Sequence, residues 1–101
     1  MNQIINGKQE GYWEAYYISG NLQCKGNYIN CLKEGYWEFY YPNGNLSYKG
    51  NYINGKKNGY FEYYHNDGKL RYKGNYINDI QEGYCVYYYT NGNIKRQEIY
   101  L

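Results

Sequence analysis

The sequence holds one proline, one methionine and one histidine, and its three cysteines, Cys24, Cys31 and Cys85, are odd in number and far apart. No Cys-x-x-Cys pair and no Cys/His cluster occurs, so neither a disulfide framework nor a metal site is expected. Reduced thiols in a cytoplasm are the plain expectation. No apolar run approaches the roughly 20 residues that a membrane-spanning helix needs. The first eleven residues show no basic segment followed by an apolar stretch, and no secretory signal is expected. An excess of one charge is also lacking. Eleven basic and nine acidic side chains are interspersed to a formal +2, whereas nucleic-acid binders concentrate a basic face, so no nucleic-acid partner is expected.

What the chain has instead is tyrosine. Nineteen Tyr, fifteen Asn and thirteen Gly make up almost half of its 101 residues. An aromatic content of 23% is far above that of solvated, disordered segments, and the length suits one small domain.

Self-similarity fixes the architecture. Gly11-Tyr12-Trp13, Gly35-Tyr36-Trp37, Gly59-Tyr60-Phe61 and Gly83-Tyr84-Cys85 recur every 24 residues. Full units span 11–34, 35–58 and 59–82; a half unit at 1–10 precedes them and a shortened, capping unit at 83–101 follows, so residues 1–101 form one array. Runs such as Tyr36–Tyr41 and Leu46–Ile53 are rich in aromatic and β-branched residues without a helical period, which predicts strands. Ser19-Gly20, Asn43-Gly44, Asp67-Gly68 and Asn91-Gly92 suit two-residue hairpin turns with positive φ, and Asn54–Asn58 reads as a longer polar loop. The expected fold is all-β: an elongated, single-layer antiparallel meander of tandem β-hairpins with eight or nine strands.

Counting outward from Asn43-Gly44 predicts that residues whose numbers sum to 87 face each other. Glu38 then meets Lys49, Trp37 covers Gly50, and Phe39 meets Tyr48. Units one and three repeat the scheme with Glu14–Lys25, Trp13–Gly26, Glu62–Lys73 and Phe61–Gly74. In the last unit Val86 and Cys85 replace the acid and the aromatic, and Arg96 and Glu98 place charge on the inner face, as a terminal strand does to discourage edge pairing. Alternation sorts the chain into two faces. Trp13, Tyr28, Trp37, Phe39, Tyr48, Tyr52, Phe61, Tyr63, Tyr72 and Tyr76 lie on the packed side. Tyr12, Tyr16, Tyr36, Tyr40, Tyr60 and Tyr64 stripe the wet side beside the Glu and Lys residues.

The segment Gly50-Asn51-Tyr52-Ile53-Asn54-Gly55-Lys56-Lys57-Asn58-Gly59 resembles the MORN repeat, and the resemblance extends over essentially the whole chain. Where that family often has Gly-x-Gly, this chain has Trp13, Trp37, Phe61 or Cys85 in place of the second glycine, as in the variant repeat of bacterial and large-virus proteins. The resemblance implies an elongated twisted sheet used for scaffolding, dimerisation or contact with lipid headgroups; some bacterial members are labelled antitoxin components.

Catalysis is not expected. His65 adjoins the Asn66-Asp67-Gly68 turn and reads as a solvated loop residue, each Glu has a cross-strand Lys, and no glycine-rich phosphate loop is present, so no cofactor is expected. A non-enzymatic scaffold that binds a protein partner through Tyr12, Tyr16, Tyr36, Tyr40, Tyr60 and Tyr64 is the leading expectation, since Tyr gives large amphipathic contact area at low entropy cost. Self-association of a thin, partly apolar sheet is a second form of the same idea. Acidic lipid headgroups over Lys25, Lys49 and Lys73 form one alternative. Cell-wall sugar or choline held by aromatic hairpins such as Tyr36–Leu46 forms another.

Overall fold

The computed structural model describes residues 2–5 and 7–101; Met1 and Asn6 of the N-terminal half unit lie outside the described residues. Among the described residues nine strands run β1 (Gln3–Ile5), β2 (Lys8–Tyr16), β3 (Leu22–Ile29), β4 (Leu32–Tyr40), β5 (Leu46–Ile53), β6 (Lys56–Tyr64), β7 (Leu70–Ile77), β8 (Ile80–Tyr88) and β9 (Ile94–Tyr100). Each pairs antiparallel with its sequence neighbours in one open sheet of order β1 to β9. The molecule measures 46 × 35 × 13 Å along its principal axes, the shortest lying across the single sheet.

The register inside each hairpin is the one counted from sequence: Trp37 stands opposite Gly50, Glu38 opposite Lys49 and Phe39 opposite Tyr48, with the equivalent pairs in the units on either side. The turns, however, are exchanged relative to expectation. At Asn43-Gly44 the Tyr41 N–H donates to the Asn45 carbonyl at 2.8 Å and the Gly44 N–H to the Tyr41 carbonyl at 2.9 Å, a three-residue loop in which Gly44 takes φ of 94°. Asn43 stays out of the left-handed region because its Oδ1 accepts the Asn45 N–H at 2.9 Å, and Pro42 supplies the φ that the first corner of a type I turn requires. The extra loop residue is offset by a bulge at Ser47, where pairing jumps from Phe39–Tyr48 to Tyr40–Leu46, so the strand register is preserved.

The two-residue turns are instead the links between units. Ile53 pairs with Lys56 across Asn54-Gly55, both with positive φ (51° and 81°), and the expected polar loop Asn54–Asn58 is turn followed by strand. Asn30-Cys31 and Asn78-Asp79 adopt the same geometry, with Cys31 at 70° and Asp79 at 71°, a conformation costly for any residue with a Cβ.

The recurrent glycine before the aromatic pair has a role that spacing alone does not reveal. Between β3 and β4 the pairing jumps from Lys25–Glu38 to Asn27–Glu34, so β4 carries two extra residues around Gly35, whose φ is 79°. Gly59 and Gly83 mark the same bulge in β6 and β8. A left-handed glycine bulge bends and twists the strand.

Packing corrects which glycine each ring covers. A methyl group at Gly26 would sit inside the Trp37 indole and one at Gly50 inside the Phe61 ring. Trp37 therefore leans over β3, not over its hairpin partner Gly50, and Phe61 leans over Gly50, not Gly74. An interior strand has an opposite neighbour on each side, and the even strands send these side chains toward the preceding strand, tying unit to unit. Trp37 and Phe61 are fully buried (0% exposed) in a sheet one layer thick. At Gly74 the small Cys85 leaves room that the Tyr72 hydroxyl enters. Rings from Trp13 to Tyr87 form one continuous row on this face, with Trp37–Phe39 and Tyr48–Tyr63 stacked and Tyr28–Trp37 edge-on.

Candidate functional site: the tyrosine face

Tyr12, Tyr16, Tyr36, Tyr40, Tyr60 and Tyr64 fall on one face of β2, β4 and β6 because they alternate with inward residues along each strand. Tyr36 is 49% exposed and Tyr60 48%; Tyr40 and Tyr64 are half-buried. Each strand holds its two phenols on the glutamate between them. Glu38 accepts the Tyr36 hydroxyl on Oε2 at 2.8 Å and the Tyr40 hydroxyl on Oε1 at 2.5 Å. Glu14 accepts Tyr12 at 2.6 Å and also Tyr16, and Glu62 accepts Tyr60 at 2.7 Å and also Tyr64. The result is three Tyr–Glu–Tyr clamps side by side.

The lysines join this network differently from the expected hairpin pairs. Lys25 Nζ lies 3.4 Å from Glu38 and Lys49 Nζ 3.5 Å from Glu62, each reaching the following unit. Glu38 and Glu62 stand directly opposite these lysines in the inter-unit register as well. In that register Lys73 faces Val86, and its ammonium lies 6.0 Å from the Tyr88 ring centroid. The hairpin pairs Glu14–Lys25, Glu38–Lys49 and Glu62–Lys73 therefore share a register but not an ion pair.

Charge and hydrogen bonding shift the titrations in opposite directions. The Tyr12 and Tyr16 phenols hold the Glu14 carboxyl below its ordinary value. Burial pushes Glu38 and Glu62 up, but their two phenols and the neighbouring ammonium outweigh it, and both carboxyls end low. The bond to Glu14 pushes Tyr12 up to about 12, and burial together with the glutamate bond pushes Tyr40 and Tyr60 to about 12. Tyr16, through its bond to Glu14, and Tyr36 and Tyr64, through burial and then their glutamates, are raised too. Across the neutral range the face presents neutral phenols fixed on ionised carboxylates.

The opposite face contains its own cations. Lys57 Nζ sits 4.9 Å from the Tyr63 ring centroid, 5.1 Å from Tyr76 and 5.6 Å from both Tyr48 and Phe61, and donates to the Tyr63 hydroxyl. Lys33 Nζ lies 5.6 Å from Trp37, 5.7 Å from Tyr52 and 5.9 Å from Phe39. These two aromatic cages, absent from the sequence reading, are filled by the chain's own ammonium groups. Their signal was the recurrence of Lys two residues before Gly35 and Gly59, on the same alternation as the inward rings.

His65 is not a solvated loop residue. It occupies the repeat position of Tyr17 and Tyr41, whose hydroxyls donate to the Tyr40 and Tyr64 carbonyls at 2.6 Å, and its Nε2 lies 3.2 Å from the Tyr88 carbonyl. An acceptor there requires the proton on Nε2. His65 thus fastens one unit to the next. Cys31 is exposed, Cys24 half-buried and Cys85 buried, all as free thiols. Among the described residues no cluster of His, Cys, Asp or Glu is arranged to hold a metal ion.

The family description "MORN repeat variant" matches residues 9–30, 33–54, 57–78 and 81–101. Each matched segment contains one hairpin, β2–β3, β4–β5, β6–β7 and β8–β9, so the family unit coincides with the structural one. A comparison with curated proteins gave no match. With four tandem matches over most of its length and one hairpin per match, the chain belongs to the MORN repeat family in its variant form.

Proposed function

We propose that this protein is a non-enzymatic scaffold that holds a protein partner on the face bearing Tyr12, Tyr16, Tyr36, Tyr40, Tyr60 and Tyr64, in a reducing compartment such as the cytoplasm. The observation that carries this is the Tyr–Glu–Tyr clamp repeated on β2, β4 and β6. Exposed tyrosines normally lose side-chain freedom when a partner covers them. Here the phenols are already fixed, and rigid aromatic anchors of this kind dominate protein interfaces.

The alternatives have less in their favour. Acidic lipid recognition draws on unpaired cations, and Lys25 and Lys49 are engaged by Glu38 and Glu62. Choline recognition needs a vacant aromatic cage, and Lys33 and Lys57 occupy the two described above.

Affinity capture from lysate of the natural source, read by mass spectrometry, tests the proposal. The parent is expected to retain one protein in stoichiometric amount, and Tyr36→Ala/Tyr60→Ala to lose it while staying folded. Equal retention by parent and variant would refute the assignment of the face.

A further inference from the structure

The inner face is not uniform. Over the hairpins β4–β5 and β6–β7 the space above the ring row is filled by Lys33 and Lys57. In the last hairpin, β8–β9, the equivalent position is Gln81, one of whose amide hydrogens reaches the Tyr72 hydroxyl (3.0 Å) and the other the Tyr87 hydroxyl (2.9 Å). Gln81 is shorter than lysine and uncharged, and Cys85 stands where Trp37 and Phe61 carry rings. The Tyr72 hydroxyl takes up the room left by Cys85, so Gln81 is the replacement that lines the space above the rings. A cleft of about 430 Å³ opens there, walled by Tyr63, Tyr72, Tyr76 and Tyr87.

Its rim is cationic. Arg71, Lys95 and Arg96 line it, and among the described residues no carboxylate does. In the equivalent position to Arg96 the inner units carry Tyr48 and Tyr72, so this cation is particular to the last unit. The Arg96 guanidinium lies 4.2 Å from the Tyr87 ring centroid, and that of Arg71 5.9 Å from Tyr63. Glu98 engages Arg96 at its Nε, 3.2 Å away. Flat aromatic walls, two phenols steadied by Gln81 and an excess of cations form a pocket for a particular chemistry. The walls stack a planar ring, and the two guanidiniums favour an oxyanion attached to it.

We propose that the cleft between β6 and β9 is a binding site for a small aromatic anion, a planar ring bearing a phosphate, sulfate or carboxylate, with Arg71 and Arg96 holding the anionic group and the half-buried Tyr76 and Tyr87 the ring. The site is on the opposite face from the tyrosine clamps and is independent of the protein-partner proposal. It also differs in charge from any choline site, since its rim repels a quaternary ammonium.

The test is calorimetric titration of the full chain with 1-naphthyl phosphate, alongside 1-naphthol and inorganic phosphate. Saturable one-site binding is expected for 1-naphthyl phosphate, with both half-ligands at least tenfold weaker. Arg71→Gln and Arg96→Gln should each weaken it roughly tenfold, the scale of one charge-assisted hydrogen bond. The decisive variant is Gln81→Lys, which restores the filled arrangement of the inner units. It adds a positive charge yet should abolish binding, because the lysine stem and ammonium occupy the cleft; circular dichroism on each variant confirms the fold. Binding unchanged or tightened in Gln81→Lys would show mere attraction to a basic surface and overturn the proposal. So would equal affinity for 1-naphthol or for inorganic phosphate, or no saturable binding at all.

Discussion

Trp37 shows at the scale of one residue how this sheet manages without a second layer. Its ring is buried because the strand beneath offers a glycine, and the contact crosses from one unit to the one before. Truncation to alanine removes a large buried ring, so a loss of about 3–5 kcal/mol in denaturant unfolding is expected for Trp37→Ala. The partner is tested by a double-mutant cycle. Gly26→Ala should destabilise the parent strongly and the Trp37→Ala background far less, because the methyl then enters space the indole has left. Gly50→Ala should remain costly in both, since it collides with Phe61. If Gly50→Ala, and not Gly26→Ala, is rescued by removal of Trp37, the hairpin pairing expected from sequence governs packing after all.

The sequence made the register legible but not this choice. Trp37 stands opposite Gly50 in the β4–β5 ladder, as counted. An interior strand has two neighbours, however, and alternation along one chain carries no information about which way a side chain leans. The same gap explains the lysines: Lys25 has Glu14 on one side and Glu38 on the other, and the ion pair goes to Glu38.

At the scale of the element, the turn types were misassigned for a related reason. Asn-Gly occurs at both kinds of connection, as Asn43-Gly44 and Asn54-Gly55, and only the local hydrogen bonding separates them. The Asx bond of Asn43 stabilises the three-residue loop, and a bulge at Ser47 cancels the miscount, which is why a wrong turn still gave a correct register. The six tyrosines were legible as a face, because alternation is enough to gather them. Their fixing by Glu14, Glu38 and Glu62 was not, because spacing does not orient a hydroxyl.

Those clamps predict how stability depends on pH. A carboxyl with a depressed pKa in the folded state contributes stability that is present above its unfolded value and lost as pH falls through the folded one. Glu14, Glu38 and Glu62 are all lowered from 4.5, so acid unfolding is expected to set in below that pH. A tyrosine raised from 10.0 to about 12, such as Tyr40 or Tyr60, remains protonated when folded after the unfolded chain ionises. Its contribution is complete below pH 10 and is lost as pH rises toward 12. The part of the tyrosinate absorbance that Tyr40→Phe/Tyr60→Phe removes should therefore appear late in the parent, together with the loss of β circular dichroism. Independent ionisation near pH 10 with the sheet intact would contradict the clamp geometry.

For the whole molecule, the consequence of one layer is that each strand packs chiefly against its neighbours, and stability accrues unit by unit. Such arrays have open edges that must not recruit further copies. A strand placed beside β9 in the register of β5–β6 would lay its aromatic ring where Glu98 stands, in place of the glycine found at Gly26, Gly50 and Gly74. Arg96 adds an inward-facing charge on the same strand and pairs with Glu98. Glu98→Gly is accordingly expected to increase self-association in sedimentation velocity, through a trace of the array's own continuation. A variant as monodisperse as the parent would mean that the edge is closed by something other than Glu98.

The central claim is that the clamped tyrosines, and not the ring row behind them, meet the partner. It is tested most directly by placing a photo-activatable benzophenone side chain at position 60 or at position 57, one residue type on each face, and irradiating in source lysate. Cross-linking of a single protein from position 60 and none from position 57 is the predicted result. Cross-linking from position 57 alone would put the partner on the inner face and contradict the account.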